Sequence, residues 1–574
     1  MTRLWNDPAD FADEMIDGFV SANGRYVRRV SGGVARATQT PEGQVAFVTG
    51  GGSGHYPAFG GLVGPGLAHG AAMGNLFASP STQQVLSVAK AVENGGGVFL
   101  SYGNYAGDVL NFDAAQEQLR ASGIECQTVT VTDDVSSADK SEIHKRRGIA
   151  GDLTVFRIAG AAAERGADLT EVTRLARRAN DRTRSFGVAF SGCSLPGADE
   201  PLFEVKAGHM AIGLGIHGEP GLGDADIPTA DGLAELLVSR LLDELPDDVE
   251  TAEGARVVPV LNGLGSLKYE EMFVVYRRIA QLLAEAGIVA VDPHVGEYCT
   301  SFDMAGTSLT LLWLDDELED LWDTGVDTPA YRRGSVDTSD LVRVETSDEQ
   351  DEDVIGAADD ASRRIAQTIA AGFDIWRATI DENVDELGRL DAIAGDGDHG
   401  IGMQRGIHAA QTAARDAASR GAGAATTLAR AADAWSDRAG GTSGAIWGAI
   451  LDTVSQRLGD EGAPASDSLA EGLDAAKARV ATFGAVVGDK TLVDSLNPLV
   501  ETFAARVADG ADIVDAWRDA ADAATAAAAA TADMLPKMGR ARAHHEKALG
   551  IPDPGAHSLA LLAQALLTLT ARKA

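Results

Sequence analysis

The chain is expected to fold as an N-terminal α/β half of two subdomains, followed by a C-terminal all-α helical barrel or bundle of about eight helices. Three observations predict this. Its 574 residues exceed the roughly 250–300 that a single hydrophobic core organises. Short β-branched runs alternate with amphipathic helical stretches as far as Trp322. Beyond residue 355 the strand pattern ceases, and apolar residues recur at every third or fourth position.

In chain order, VAFVTG (45–50), GVFLSYG (97–103), CQTVTVTDD (126–134) and ARVVPVLNGLG (255–265) read as largely buried strands. DAAQEQLRASG (113–123) and DLTEVTRLARRAND (168–181) read as the helices that cover them. The break between the two subdomains is expected between Ser185 and Pro196, and the whole α/β half spans residues 1–330. From 331 to 355 Pro, Gly, Ser and Thr mix with an acidic run, Asp348 to Asp353, which marks a flexible acidic linker. In the remaining half, 356–574, Ile365, Ile369, Phe373, Trp376 and Ile380 step by four or three along one helix face. Alanine-rich helices follow over 409–417, 424–435 and 520–534, and a leucine-rich one over 559–569. Alanine is the strongest helix former and lets helices approach closely, so DAADAATAAAAATAD reads as a packed helix rather than low complexity.

A hydrophobic content of 45% and 23% charged residues describe a globular chain with ample core material. Its 85 acidic and 48 basic residues leave a net charge of -37, which repels nucleic acid and anionic membrane surfaces as partners. The first fifteen residues carry acids where a leader has its apolar run, and no segment approaches 18 uninterrupted apolar residues; a cytoplasmic location is expected. Cys126, Cys193 and Cys299 are odd in number and far apart, which fits neither a disulfide framework nor a zinc site.

The chemistry concentrates in a few motifs. LDAIAGDGDHGIGMQRG (390–406) sets Asp391, Asp396 and Asp398 within eight residues among glycines that let the backbone turn sharply. Three crowded carboxylates repel unless a cation lies between them, and all-oxygen donors favour Mg2+ or Ca2+. A calcium-binding loop starting at Asp396 would need a bidentate Glu where Ile407 stands; a plain polar turn is the other reading. In the α/β half, a strand runs into Gly50-Gly51-Gly52-Ser53-Gly54-His55, a glycine-rich turn able to hold a small polyhydroxy ligand with Ser53 and His55 pointing in. It lacks the dinucleotide spacing, since His55 and Pro57 stand where a glycine is required, and no phosphate-loop signature occurs in the chain. Asp108 follows a strand in NYAGDVLNF, and His217 stands among glycines in GIHGEPG. Two histidines and a carboxylate at strand ends suit acid–base or covalent work on a carbonyl compound.

Taken together, GGGSGH, NYAGDVLNF, GIHGEPG, NGLGSLKYEEMFVVYRRI and VGEYCTSFDMAGTSLTLLWLDDEL resemble the substrate-binding half of ATP-dependent dihydroxyacetone kinases. LDAIAGDGDHG, GGTSGAIWG, VGDKTLVDSLNP, MGRARAHHEKALG and PDPGAHS resemble their nucleotide-binding half, in the family's order over nearly the whole chain. The resemblance implies phosphorylation of a terminal hydroxyl of a short-chain ketose, with ATP and Mg2+. It implies that His217 forms a covalent hemiaminal with the ketone, that Asp108 is the general base and His55 its hydrogen-bonding partner, and that Gly52, Ser53 and Gly54 line the substrate. In the helical half it assigns Asp391, Asp396 and Asp398 to magnesium. It assigns His399, Gly400, Ile401, Gly402, Thr442, Ser443, Gly484, Leu492, Arg540, Asp553, Pro554 and Gly555 to the nucleotide. It further implies a homodimer and favours one in which each substrate domain faces its partner's nucleotide domain.

Two positions depart from the family pattern. Gly103 replaces a usual lysine five residues before Asp108, which is expected to leave room beside the substrate for a four-carbon ketose such as erythrulose. Ile401-Gly402 replaces a more polar pair after the third glycine of the acidic motif. The competing readings are a non-catalytic ketose sensor and an enzyme that cyclises FAD at the same nucleotide site.

Overall fold

In the computed structural model the chain divides into two compact units, residues 1–346 and 347–574, each taken here by itself. The structure describes all residues except 1–3, 199, 220, 338–340, 343, 345–354, 395–396, 539–547 and 572–574.

The first unit opens with helix α1 (Phe11–Asn23) and a hairpin, β1 (Val27–Val30) and β2 (Gly33–Arg36). These join β3 (Ala46–Ser53), β4 (Gly70–Leu76), β5 (Val98–Gly103) and β6 (Cys126–Val131) in a sheet of order β1-β2-β4-β3-β5-β6. The last four strands are parallel, with α2 (Thr82–Val92) and α3 (Ala106–Ala121) as crossovers. Parallel strands covered on both faces need apolar residues on both sides, and β3 and β5 are buried along their whole length.

Helix α4 (Gly151–Glu164) is buried at all but its last residue and packs on strands of both sheets; α5 (Leu169–Asp181) follows it. The second sheet comprises β7 (Thr183–Ala189), β8 (His209–Ile212), β9 (Gly223–Asp226), β10 (Arg256–Gly263), β11 (Val289–Ala290), β12 (His294–Gly296) and β13 (Gly306–Leu314). Helices α6 (Ala230–Leu242) and α7 (Tyr269–Glu285) share a core with it, and α8 (Asp316–Trp322) follows. The second sheet begins at Thr183, and Ser185, where a break was expected to start, lies within its first strand. The small polar residues that suggested a connection are core strand: Ser185 Oγ meets Thr310 Oγ1 at 2.6 Å across the sheet, so its hydroxyl is satisfied without water.

The stretch expected to be a linker begins inside this unit. β14 (Val326–Asp327) pairs with β15 (Arg332–Arg333), Tyr331 is buried, and Gln39 N donates to Val342 O at 2.8 Å. The acidic run 348–353 lies outside the described residues.

The second unit is helical throughout its described residues. Its helices are α9 (Asp360–Ala394), α10 (His399–Ser419), α11 (Ala424–Ala439), α12 (Gly441–Leu458), α13 (Ser466–Ala481), α14 (Val493–Ala508), α15 (Ile513–Ala530), α16 (Pro554–Ala565) and the short α17 (Thr568–Ala571). Each of the first seven packs on the next, and α16 returns onto α9, which closes a barrel. Trp435 stacks on Trp447 at 5.2 Å, with Trp376 edge-on to both. Buried alanines on α10, α11 and α15 let the barrel walls approach closely.

Candidate active site

The first unit gathers its chemistry at the carboxyl ends of β3 and β5, where parallel sheets place their ligands. The glycine run is not the expected turn. β3 continues through Ser53, and Gly50, Gly51 and Gly52 pair with Ala72, Met73 and Gly74. The reason is steric: a Cβ on Gly51 would lie 2.2 Å from the Phe59 ring, and one on Gly52 2.9 Å from the Phe77 and Ala78 backbone. Ser53 donates to Gly74 O at 2.7 Å, so its hydroxyl secures the strand end. Gly54, at φ +105°, makes the turn that delivers His55.

His55 and His217 meet nitrogen to nitrogen, Nε2 to Nε2 at 2.9 Å. His55 Nδ1 lies 2.7 Å from Thr300 O, which can only accept, so Nδ1 carries a hydrogen. Burial first, and the neighbouring His217 second, lower the His55 pKa to about 3, so the ring is neutral and its Nε2 is a lone pair. His217 Nδ1 faces Glu219 Oε1 at 2.9 Å, while His217 N donates to Glu219 Oε2 at 3.0 Å. The carboxylate fixes the ring's orientation, and the two Nε2 atoms share one hydrogen between them. Phe77 at 5.4 Å and Tyr105 at 4.7 Å stand perpendicular to it. Asp108 is buried in the first turn of α3, where the helix dipole favours a carboxylate.

Glu219, Thr300, Phe77 and Tyr105 were missed in the sequence reading. Glu219 alone left a local signal, an acid two residues beyond a histidine in a glycine-rich turn. Gly103 also differs from expectation, because the space beside it is filled. A Cβ there would lie 3.3 Å from Gly148 O and from the Tyr105 ring.

In the second unit, helix N-termini converge on His399, the first residue of α10. Its Nδ1 is 3.2 Å from Ser443 Oγ in the first turn of α12, and its Nε2 is 3.0 Å from Ser558 Oγ in the first turn and a half of α16. A Cβ on Gly555 of α16 would meet Leu492, the residue preceding α14, at 3.3 Å. Four helices therefore begin around one place, and their free N–H groups and dipoles suit a polyanion. Thr442 is exposed beside Ser443, and Gly484, at φ +93°, opens the loop leading to Leu492. Asp553 caps α16, accepting from Ala556 N at 2.7 Å, and Pro554 takes the first helical position. Gly400 is committed to packing, since a Cβ would strike Val384 O of α9 at 2.1 Å; Ile401 is 51% exposed, and a Cβ on Gly402 would lie 3.8 Å from Ala439 O. Lys490 Nζ donates to three carbonyls, Met534 O at 3.2 Å, Ala548 O at 2.6 Å and Ile551 O at 2.8 Å, tying the 484–491 loop to the segment that leads to Asp553.

Asp391 Oδ2 accepts from His399 N at 3.2 Å, and Asp398 is the residue just before α10. Burial and then the Asp391 charge raise the pKa of Asp398, so the two carboxylates crowd one another. Asp396 and Arg540 lie outside the described residues, and among those described no trio of His, Cys or acidic groups closes on a metal-sized point. A crowded, oxygen-only pair is nonetheless the donor set of a hard divalent cation that takes its other ligands from phosphate and water.

These features define a two-unit enzyme, one unit an α/β pocket around a paired histidine, the other an all-α barrel with helix N-termini gathered at one end. Residues 17–330 match the Dak1 domain and residues 393–568 the DAK2 domain. The chain is 57% identical over 567 residues to an L-erythrulose kinase of Pectobacterium atrosepticum, covering 99% of this chain and 96% of that protein. It is 51% identical over 570 residues to a D-erythrulose kinase of Mycolicibacterium smegmatis, covering 98% of each. A solved dihydroxyacetone kinase from C. freundii, in complex with AMP-PNP and Mg2+, matches over 99% of both chains at 30% identity and a TM-score of 0.52. The chain belongs to the dihydroxyacetone kinase family, with Dak1 and DAK2 domains in one polypeptide.

Proposed function

We propose that the protein is an ATP-dependent ketose kinase that captures a short-chain ketose on His217 and phosphorylates a terminal hydroxyl, with erythrulose favoured over dihydroxyacetone. The observation that carries this is the 2.9 Å contact between His217 Nε2 and the neutral His55, with His217 Nδ1 held by Glu219. The hydrogen shared by the two Nε2 atoms is released to solvent as the ketose enters, and the freed His217 lone pair attacks the ketone carbon. The C–N bond forms, the carbonyl π bond breaks, and its oxygen takes up a proton from water. Glu219 stays on Nδ1 throughout and balances the charge of the alkylated ring. A polyol lacks the carbonyl and is rejected by chemistry rather than by fit.

Asp108 then accepts the proton of the terminal hydroxyl as that oxygen attacks the γ-phosphorus and the bond to ADP breaks. Asp391 and Asp398 would hold Mg2+, which when bound offsets charge on the nucleotide phosphates. The preference for a four-carbon ketose rests on the names of the two most similar relatives reported above. The histidine pocket and the barrel end belong to different units, and transfer needs reacting atoms at about 3–3.5 Å. A homodimer that pairs one chain's pocket with its partner's barrel meets this need. Mixing Asp108→Asn with Asp391→Ala should then restore activity above either parent, and no recovery would count against the exchange.

The central test is a coupled ADP-release assay with dihydroxyacetone and both erythrulose enantiomers, with product positions read by NMR. His217→Ala should lose turnover of every ketose by about 10³-fold or more. Parental turnover in that variant would end the reading, and a clear preference for the triose would end the erythrulose assignment.

A further inference from the structure

His217 and Glu219 share a tight loop in which Gly215 N donates to Glu219 O at 2.9 Å and Gly218 N to Gly215 O at 3.0 Å. A buried cation reaches this loop from another part of the chain. Arg147 Nε and Nη2 lie 3.0 and 2.8 Å from Asp134 Oδ2, Nη2 donates to Gly213 O at 3.0 Å, and Nη1 to Glu219 O at 3.4 Å. A Cβ on Gly215 would lie 2.1 Å from Glu219 Oε2 and 2.5 Å from Arg147 Nη1, so both charged groups crowd the same side of that glycine. Arg147 comes this close because its neighbour Gly148 rests on Gly103: a Cβ on Gly148 would lie 2.5 Å from Gly103 Cα. The cation beside the substrate histidine thus arrives from a different segment, across two bare glycines.

We infer that Arg147 is a positioning residue for His217, holding the 213–219 loop by the Gly213 and Glu219 carbonyls and placing a positive charge beside Glu219, so that its carboxylate keeps Nδ1 bound. This rests on the ketose-kinase reading above. Glu219 accepts two bonds from His217, and a carboxylate in so dry a place needs a countercharge to remain an acceptor. Burial opposes the charge of Arg147, but Asp134 and Glu219 outweigh it and leave the guanidinium more firmly charged than usual. Tyr105, perpendicular to the His217 ring, has a buried hydroxyl without a hydrogen-bond partner among the described residues, so the polar contacts that hold this side of the loop are those of Arg147. A lysine could reach one of these acceptors but not span all of them, since it lacks the planar fork.

The test compares Arg147→Met, Arg147→Lys and Glu219→Gln with the full-length parent. Capture is read from the carbon signal of 2-13C erythrulose, the His217 ring from its 15N signals, and kcat and KM from ADP release. Arg147→Met should weaken capture by about 10–100-fold, the span of a lost hydrogen bond to a charged group. It should raise the ketose KM, leave the ATP KM alone and shift the His217 Nδ1 signal; added guanidinium should restore part of the capture. Arg147→Lys should fall between Met and parent. The double variant Arg147→Met, Glu219→Gln should be no worse than the weaker single one, because the two residues act in series. Losses that multiply, or an Arg147→Met protein with parental capture and 15N signals, would overturn the inference. If Arg147→Met fails to fold, Arg147→Lys decides, and parental capture with unmoved 15N signals refutes it. A parent that captures no ketose overturns the ketose reading and this inference with it; equal capture by parent and variants overturns the inference alone.

Discussion

The pocket around His217 and the end of the helical barrel solve opposite problems. In the pocket each ring nitrogen of His55 and His217 already faces a protein partner, and the partners come from segments as distant as Thr300 and Glu219. Burial keeps His55 neutral, and one carboxylate fixes the His217 ring. At the barrel end acids are brought together instead. Asp398 and Asp553 are both raised by burial first, and the Asp391 charge adds to each. Helix N-termini and carboxylates converge there, a balance that a polyanion with its metal would complete. A nucleophile needs a settled tautomer before substrate arrives; a phosphate site can take its charge balance from what it binds.

If that contrast holds, damage at the barrel end should abolish transfer while leaving capture intact. Asp398→Asn, or removal of divalent cations with EDTA, should cut ADP release by about 10²–10³-fold or more, because it removes charge stabilisation at the transferring phosphoryl group. The hemiaminal carbon signal of bound 13C-ketose should be unchanged. Loss of that signal together with turnover would mean that the two sites are not separable. A milder lesion is Lys490→Met, which removes a cation serving three carbonyls between the 484–491 loop and the strap before Asp553. Several buried acceptors lose their donor, so the ATP KM should rise by about 10-fold or more with ketose capture untouched. An unchanged ATP KM would remove this loop from the nucleotide site.

The pocket makes a separate prediction in pH. Folded His55 stays neutral to about pH 3, whereas the unfolded chain takes up that proton near pH 6.5. The unfolded state therefore binds more protons between these limits, and stability falls as pH drops from 6.5 toward 3. The slope is about 1.4 kcal/mol per unit, so at pH 5 the parent has lost about 2 kcal/mol relative to pH 7 through this residue. His55→Gln lacks this term, so the gap in melting temperature between the first units of parent and variant should narrow from pH 7 to pH 5. A constant gap would show that His55 is not held neutral.

What the sequence disclosed follows the same contrast. Local period gave the starts of β3, β5, β6 and β10 to within a residue, though β3 runs three residues further and β6 ends three earlier, and the stripe from Ile365 to Ile380 lies along α9. It failed where a polar residue is satisfied inside the fold, as Ser185 is by Thr310, and where glycines serve packing rather than a turn, as Gly50 to Gly52 do. The acidic motif was visible because its carboxylates are close in sequence. Thr300 and Arg147 could not be seen, since their contacts with His55 and the His217 loop span long separations and leave no pattern along the chain.

The smallest effect is expected at Ile401, which the resemblance places among the nucleotide contacts. Its side chain is 51% exposed, on the first turn of α10. The main-chain donors of that turn are unequal: His399 N is taken by Asp391 and Gly402 N donates to Asp398 O at 2.9 Å. Among the described residues, the donors this turn has left for a phosphate are the N–H groups of Gly400 and Ile401 themselves, which do not depend on the side chain at 401. Ile401→Ser should change stability by no more than about 0.5 kcal/mol. The ATP KM should move by less than about 3-fold, and the ketose KM not at all. A larger rise in the ATP KM would mean that the isoleucine side chain packs on the nucleotide, and that the barrel end recognises its ligand by apolar contact as well as by converging helix ends.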